Sequence, residues 1–214
     1  MEDVVSFQVY DYRTDVCNML VTPWIRSRFL RMEPGESASL HSHDLGHEIF
    51  LVLAGRAEFT IDGGVGEVGP GQLCVALADE IHSVRTVGDE PMTMYLSVTP
   101  HIQPTHTGRT ADGDRMPTRF APSRSYDVAP DDSVPMADAV GACVEAARAL
   151  AQDAAALARV QEETVDRLRG CSREDAVEAR EAVWGALYSV LRQAYELADG
   201  WNALADRVER MPEA

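Results

Sequence analysis

Up to about residue 98 the chain alternates short β-prone runs with Gly, Pro and Asp. The runs cover residues 4–10, 24–32, 48–53, 57–61, 73–77 and 92–98, with turn signals such as Asp62-Gly63-Gly64 and Gly88-Asp89 between them. Short strands at regular spacing predict an antiparallel sandwich or barrel, and the lack of an intervening helical period argues against a parallel α/β sheet. From Pro100 to Pro130 the alternation stops. Prolines at 100, 104, 117, 122 and 130 stand among Thr, Arg, Asp and Gly, the composition of a long surface connection, part of which can still pack over the barrel mouth. His101 and His106, within it, are expected to be solvated.

The last third carries a helical period. Asp131, Asp132 and Ser133 before Pro135 offer a helix start. A first apolar seam runs through Val140, Cys143, Ala147, Leu150, Ala154, Leu157 and Leu168, and Gly170 can end the helix. Ser172 and Asp175 resemble a capping box for a second helix. Its seam is Val183, Leu187, Val190, Ala194, Leu197, Trp201, Leu204, Val208 and Met211, with Gly200 as a site of breakage or kinking. Steps of three and four residues predict an antiparallel hairpin of two helices, each roughly 50 Å long at about 1.5 Å per residue. Two lone helices cannot cover Trp184, Leu187, Leu191 and Trp201 on all their apolar sides, so a homodimer through a four-helix bundle is expected. The chain then divides into a β barrel over 1–110, a Pro-rich linker over 111–133 and a helical hairpin over 134–214.

Charge narrows the partners. The 214 residues carry 35 acidic and 19 basic side chains, a formal net charge of −16, and every basic residue is Arg. Without Lys there is neither Schiff-base lysine chemistry nor a phosphate-binding P-loop. An acidic chain lacks the clustered positive face that nucleic acid or an anionic membrane requires, so neither is expected as a partner. The first twenty residues contain Glu2, Asp3, Asp11 and Asp15 and no apolar run, which speaks against a signal peptide. Cys17, Cys74, Cys143 and Cys171 are too widely spaced for a disulfide framework, so free thiols and a cytoplasmic location are expected.

The chemistry concentrates between Gly35 and Gly55. His41 and His43 lie two residues apart, so on a strand both imidazoles project from one face. Glu48 follows on the next strand, and His82 comes after a Gly/Pro turn and an apolar run. Three imidazoles and a carboxylate would leave about two open positions on a six-coordinate ion, room for substrate, water or O₂. Gly35, His41, His43, Glu48 and Gly55 match the first motif of the cupin superfamily in full. Gly71 and His82 match the second in part, with Leu77, Asp79 and Thr86 in place of its Pro, Gly and Asn. The resemblance covers roughly residues 20 to 100. It implies a double-stranded β-helix, or jelly-roll barrel, here followed by the long two-helix hairpin. It also implies one divalent metal ion, Fe first and Mn, Ni, Cu or Zn as alternatives, on His41, His43, Glu48 and His82.

The function expected from that site is a mononuclear non-haem oxygenase, of dioxygenase type, acting on a small organic substrate. A non-oxidative isomerase or lyase and a non-catalytic small-molecule-binding cupin are the alternatives. His47, one residue before Glu48, should face away from the metal. Phe50 and Val52 share the parity of Glu48 and should line the apolar part of the cavity. Arg26 and Arg28 hold a substrate carboxylate if the even positions of their strand face inward; if the odd positions do, both lie on the surface, the simpler reading. Tyr95 either donates a hydrogen bond into the pocket or packs in the barrel wall. Gly64-Val-Gly66-Glu-Val-Gly69 fits a dinucleotide fingerprint, but Pro70-Gly71 and a β-prone run follow where that mechanism needs a helix.

Overall fold

A computed structural model describes residues 7–129, 131–169 and 172–209. The start of the 4–10 run, Gly170, Cys171 and Met211 therefore lie outside the described residues. The chain forms two compact units that divide after Pro130: a β unit and a helical unit spanning Asp131–Val208.

The β unit has ten strands: β1 (Asn18–Val21), β2 (Arg26–Met32), β3 (His41–Ser42), β4 (His47–Ala54), β5 (Ala57–Ile61), β6 (Gly64–Val68), β7 (Leu73–Ala76), β8 (His82–Thr86), β9 (Met92–Thr99) and β10 (Thr107–Gly108). They form two antiparallel five-stranded sheets, ordered β1-β2-β9-β4-β7 and β10-β3-β8-β5-β6. The expected strand over 4–10 is not found in its described part, as residues 7–10 are irregular. The glycine-rich fingerprint is β6, paired along its length with β5, and a turn at Pro70-Gly71 leads from it into β7. A backbone committed to a ladder cannot cradle a pyrophosphate.

Period-two alternation sets the interior. Met92, Met94 and Leu96 of β9 join Phe50 and Val52 of β4, Met32 of β2, Ala57 and Phe59 of β5 and Val84 of β8 in one buried core. In the register, Glu48 and Arg26 both lie opposite Val98, and His82 lies opposite Ile61. Glu48 therefore stands in the same inward row as Phe50 and Val52, and His82 in that of Val84 and Thr86. Phe50 packs against Phe59 and His82, with ring centroids 5.0 and 5.8 Å apart. It fills the barrel below the polar cluster instead of lining an open cavity.

The connection after Pro100 does not run free over the surface. β10 adds a rung beside β3, with Thr107 opposite Ser42 and Gly108 opposite His41. A short 3₁₀ turn at Ser123–Tyr126 buries Tyr126. The Asp127 carboxylate accepts hydrogen bonds from the backbone and side-chain nitrogens of Asn18 at 2.8 and 3.0 Å. Arg115 pairs with Asp44 at 2.8 Å and with Asp79 at 3.3 Å. Proline spacing signalled only the lack of a repeating period; these long-range contacts carry no local signature.

In the helical unit, α1 (Met136–Arg167) and α2 (Arg173–Glu209) form the hairpin. Asp175 N–H bonds Ser172 Oγ at 3.2 Å and Ser172 N–H bonds the Asp175 carboxylate at 2.9 Å, a reciprocal cap at the start of α2. At the other end, the Arg207 guanidinium donates to the carbonyls of Asp131 and Val134, tying the close of α2 to the approach to α1. α2 runs unbroken through Gly200. A Cβ there would stand 3.1 Å from Cys143 Sγ, so this glycine lets the helices approach and does not kink one of them. Val140, Trp201 and Val208, placed in the seams by spacing, are exposed instead.

Gly55 closes β4 with φ +68°, and a Cβ there would sit 2.4 Å from the Pro91 carbonyl oxygen. Left-handed backbone and steric conflict both oppose a side chain. Gly55→Ala should destabilise the barrel by about 2 kcal/mol or more, read as a lowered midpoint in thermal unfolding followed by near-UV circular dichroism; an unchanged midpoint would contradict this packing.

Candidate metal centre

The four residues expected as ligands meet at one point. Single donor atoms from His41, His43, Glu48 and His82 all lie within 4.8 Å of one another. Pairing of β3 with β8 sets His41 directly opposite His82. His43 follows β3, where its carbonyl accepts the Asp79 N–H at 2.9 Å. Asp79 has φ +65°, the left-handed conformation that a glycine would adopt without cost and that Asp tolerates. Replacement of the motif glycine by Asp79 therefore leaves the loop shape intact.

Each imidazole is oriented from behind. His41 Nδ1 lies 2.8 Å from the Ser39 carbonyl, His82 Nδ1 lies 2.9 Å from the Glu80 carbonyl, and His43 Nδ1 bonds the Thr105 carbonyl. A carbonyl only accepts, so each Nδ1 carries a proton and each Nε2 presents its lone pair to the centre. There His43 Nε2 stands 2.8 Å, His82 Nε2 3.0 Å and His41 Nε2 3.9 Å from one oxygen, Glu48 Oε2. Lone pairs of neutral imidazoles facing a carboxylate oxygen at such distances repel unless a proton or a metal cation lies between them. The donor set fits a divalent cation, and these four residues could hold one.

Burial raises the Glu48 carboxyl, but the hydrogen bonds that His43 and His82 make to it when their Nε2 atoms carry protons outweigh it and hold the group well below the usual carboxylate range. Burial lowers His41 to about 4, aided by neighbouring His82. The centre is thus poised to present an anionic carboxylate at Glu48 and a neutral imidazole at His41, the states that ligate metals.

Arg26 joins this centre. The even positions of β2 face inward, contrary to the simpler surface reading, because β2 pairs with β9 in the register that buries Met92, Met94 and Leu96. Only 4% exposed, Arg26 directs Nη2 to 3.9 Å from Glu48 Oε1 and lies over the Tyr126 ring at 5.3 Å, while its Nε has no hydrogen-bond partner. Burial depresses its pKa, although the Glu48 charge opposes the shift. Arg28 shares this face but is only partly buried, and its charge helps to lower the pKa of Asp127. Tyr95 lies on the opposite face: its hydroxyl is 3.1 Å from Ser27 Oγ and its ring meets Phe29 edge-on. It is a wall residue and does not reach the pocket, since odd positions of β9 point outward. His47 is exposed, and its Nδ1 accepts the Ala78 N–H at 2.9 Å.

Sequence reasoning allowed part of the Pro-rich segment to pack over the barrel mouth but placed none of its residues in the site and left His101 and His106 in solvent. His101 is buried with its ring 4.7 Å from that of Tyr126. The His106 ring lies 5.1 Å from His41 and 4.7 Å from His43, and its Nδ1 is 3.0 Å from Thr105 Oγ1. Thr105 Oγ1 in turn lies 3.2 Å from the Tyr126 hydroxyl. Two histidines and a tyrosine within a proline-rich stretch were the available signal, but nothing local says that the stretch folds back.

Residues 28–99 match the family model of the cupin domain. The barrel is a cupin domain. The oxalate-binding protein of Thermotoga maritima is 30% identical to the chain over 60 residues, which make up 28% of this chain and 50% of that protein. The chain thus spans half the length of this curated relative. Among solved structures, a conserved protein with a double-stranded β-helix domain from Klebsiella pneumoniae is similar at TM-score 0.42 and 21% identity, over 44% of this chain and 90% of that one. A sugar phosphate isomerase of the cupin superfamily from Silicibacter pomeroyi is similar at TM-score 0.37 and 28% identity, over 42% and 59% of the two chains. The cupin match ends at residue 99, so His101, Thr105, His106 and Tyr126 come from beyond it.

Burial holds the His101 pKa at about 3, with the Arg26 charge a further cause. An unfolded histidine titrates near 6.5. Below about pH 6.5 the unfolded chain takes up a proton that the folded chain refuses, so stability falls as pH drops from there towards 3. His101 contributes up to about 1.4 kcal/mol per pH unit in that window. Thermal midpoints of wild type and His101→Gln between pH 7 and 4 should converge as pH falls; parallel curves would refute the assignment.

Proposed function

We propose that the protein is a metal-dependent cupin enzyme, a mononuclear non-haem oxygenase acting on a small organic carboxylate. The observation that carries this reading is the convergence of three imidazole Nε2 atoms on the Glu48 carboxylate beside a buried guanidinium with an unpaired donor. His41, His43 and His82 through Nε2, and Glu48 through its carboxylate, would hold the ion, with iron the metal we expect. A bound ion would supply Lewis acidity and, as iron, the redox capacity that dioxygen chemistry requires.

The chain's own residues do the rest. Backbone carbonyls fix the three rings, so the donors need no reorganisation when an ion arrives. Phe50 packs beneath His82 and keeps water from the inner side. Arg26 lies too far from Glu48 for a hydrogen bond, so its donors remain available to an incoming carboxylate, which guanidinium binds in planar, bidentate fashion. A second reading is favoured by the relative named as an oxalate-binding protein: a cupin that binds a small carboxylate without transforming it.

We also propose that the helical unit joins two copies of the chain. Val177, Trp184, Tyr188 and Leu191 form an exposed stripe on α2 at steps of seven, four and three residues, the spacing of a helix that packs lengthwise on another. The stripe runs about 21 Å along α2 at about 1.5 Å per residue, the centre of a contact in which a second copy would bury the roughly 800 Å² per partner of a stable interface. A second copy supplies the same stripe about a two-fold axis.

Elemental analysis of protein purified anaerobically without chelators should find close to one metal ion per chain. The ion should be lost in His41→Ala/His82→Ala, and unchanged metal content in that variant would sink the site. Oxygen uptake with a bound carboxylate separates the enzyme from the binding module. Oxalate, as the smallest probe, should bind the metal-loaded protein about 10- to 100-fold more weakly after Arg26→Ala, the loss expected for a charge-assisted hydrogen bond. In sedimentation the full chain should run as a dimer and Trp184→Asp/Leu191→Asp as a monomer; a monomeric wild type would overturn the bundle.

A further inference from the structure

Beside the candidate metal centre lies a cavity of about 390 Å³, within the size range of small-molecule sites. All of its lining residues except Ser39 and Leu40 lie beyond the cupin match, so the added segment builds it. Its walls include Leu40, Met116, Pro117 and Ala121, and Arg119 stands exposed at its rim. Two lining residues also face the centre. The His106 ring approaches His41 and His43, and the Tyr126 ring lies under the Arg26 guanidinium. These two rings border both the cavity and the centre. They are coupled to each other through Thr105 Oγ1, which lies within hydrogen-bond distance of both His106 Nδ1 and the Tyr126 hydroxyl.

We propose that this cavity receives the body of the ligand, and that the ligand is a carboxylic acid with a sizeable apolar portion, not a bare dicarboxylate. The inference rests on the carboxylate reading of Arg26 and the metal centre. Leu40, Met116 and Pro117 offer apolar contact, which a ligand as small and polar as oxalate cannot use. His106 and Tyr126 border the ligand where its carboxylate passes towards Arg26, which makes them specificity residues of a site that the cupin barrel by itself lacks.

The test compares two probes, oxalate and phenylpyruvate, by calorimetric titration of the metal-loaded full chain and of Ala121→Trp and Ala121→Leu, which fill the cavity to different extents. Phenylpyruvate should bind wild type at least ten-fold more tightly than oxalate. Ala121→Trp should remove that advantage and Ala121→Leu part of it. Oxalate affinity should stay unchanged in both, which also shows that the variants are folded. Oxalate binding that depends on Arg26, with phenylpyruvate no tighter in wild type or unaffected by either variant, would overturn the cavity assignment alone. Failure of both acids to bind the metal-loaded wild type would overturn the carboxylate reading and this inference with it.

Discussion

A buried carboxylate surrounded by three imidazoles is the arrangement on which the β unit turns. Glu48 is almost wholly withdrawn from water, a costly position for an ionised group unless every lone pair is engaged. His43 and His82 approach one of its oxygens, and Arg26 stands by the other. The rings are themselves held from behind by backbone carbonyls of residues 39, 80 and 105. Three separate segments must therefore fold before the four donors converge. The same alternation that packs Phe50, Val52 and Val84 into the core aims Glu48 and His82 at the centre, so fold and site rest on a single register. A slip of one residue in β4 would turn Glu48 out and His47 in.

The segment after residue 99 builds part of the candidate site. Without it, His43 would lose the acceptor that sets its tautomer and Arg26 would lose the aromatic face beneath it. With it, the centre gains a wall of His106 and Tyr126 and an adjoining cavity. Salt bridges from Arg115 to Asp44 and Asp79 and the Asn18–Asp127 hydrogen bonds hold this segment against the barrel. In the proposed reading a shared scaffold acquires its selectivity from residues appended to it, while three of the four candidate donors, His41, Glu48 and His82, stay on strands.

The helical unit obeys a different logic. Its ends are fixed by polar contacts that the sequence advertises, the Ser172–Asp175 cap above all. Its faces are less well determined. Spacing identified Cys143, Leu150, Leu157, Val183, Leu187 and Leu197 as seam positions, and all are at least partly shielded. It also assigned Trp201 and Val208 to the seam, although both are exposed. A stripe wider than two helices can cover produces this ambiguity, since every apolar position fits some line of three- and four-residue steps.

What the sequence determined by itself was whatever depends on local spacing: the strand periods, the two helices and the grouping of His41, His43, Glu48 and His82. His41 and His43 share a face because the β repeat is two residues, and the approach of Glu48 and His82 was legible from motif spacing. What only the tertiary structure decided was whatever depends on which residues far apart in the chain come together. The parity of β2, and with it the inward turn of Arg26, was fixed by pairing with β9 some seventy positions away. The outward turn of Tyr95 followed from the same pairing. His101 and His106, expected in solvent, are drawn in because the Pro-rich segment buries Tyr126 and pairs with β3. Backbone propensity carries no information about such closures. They are settled when the free energy of burying distant side chains exceeds the entropy lost in ordering the connection between them.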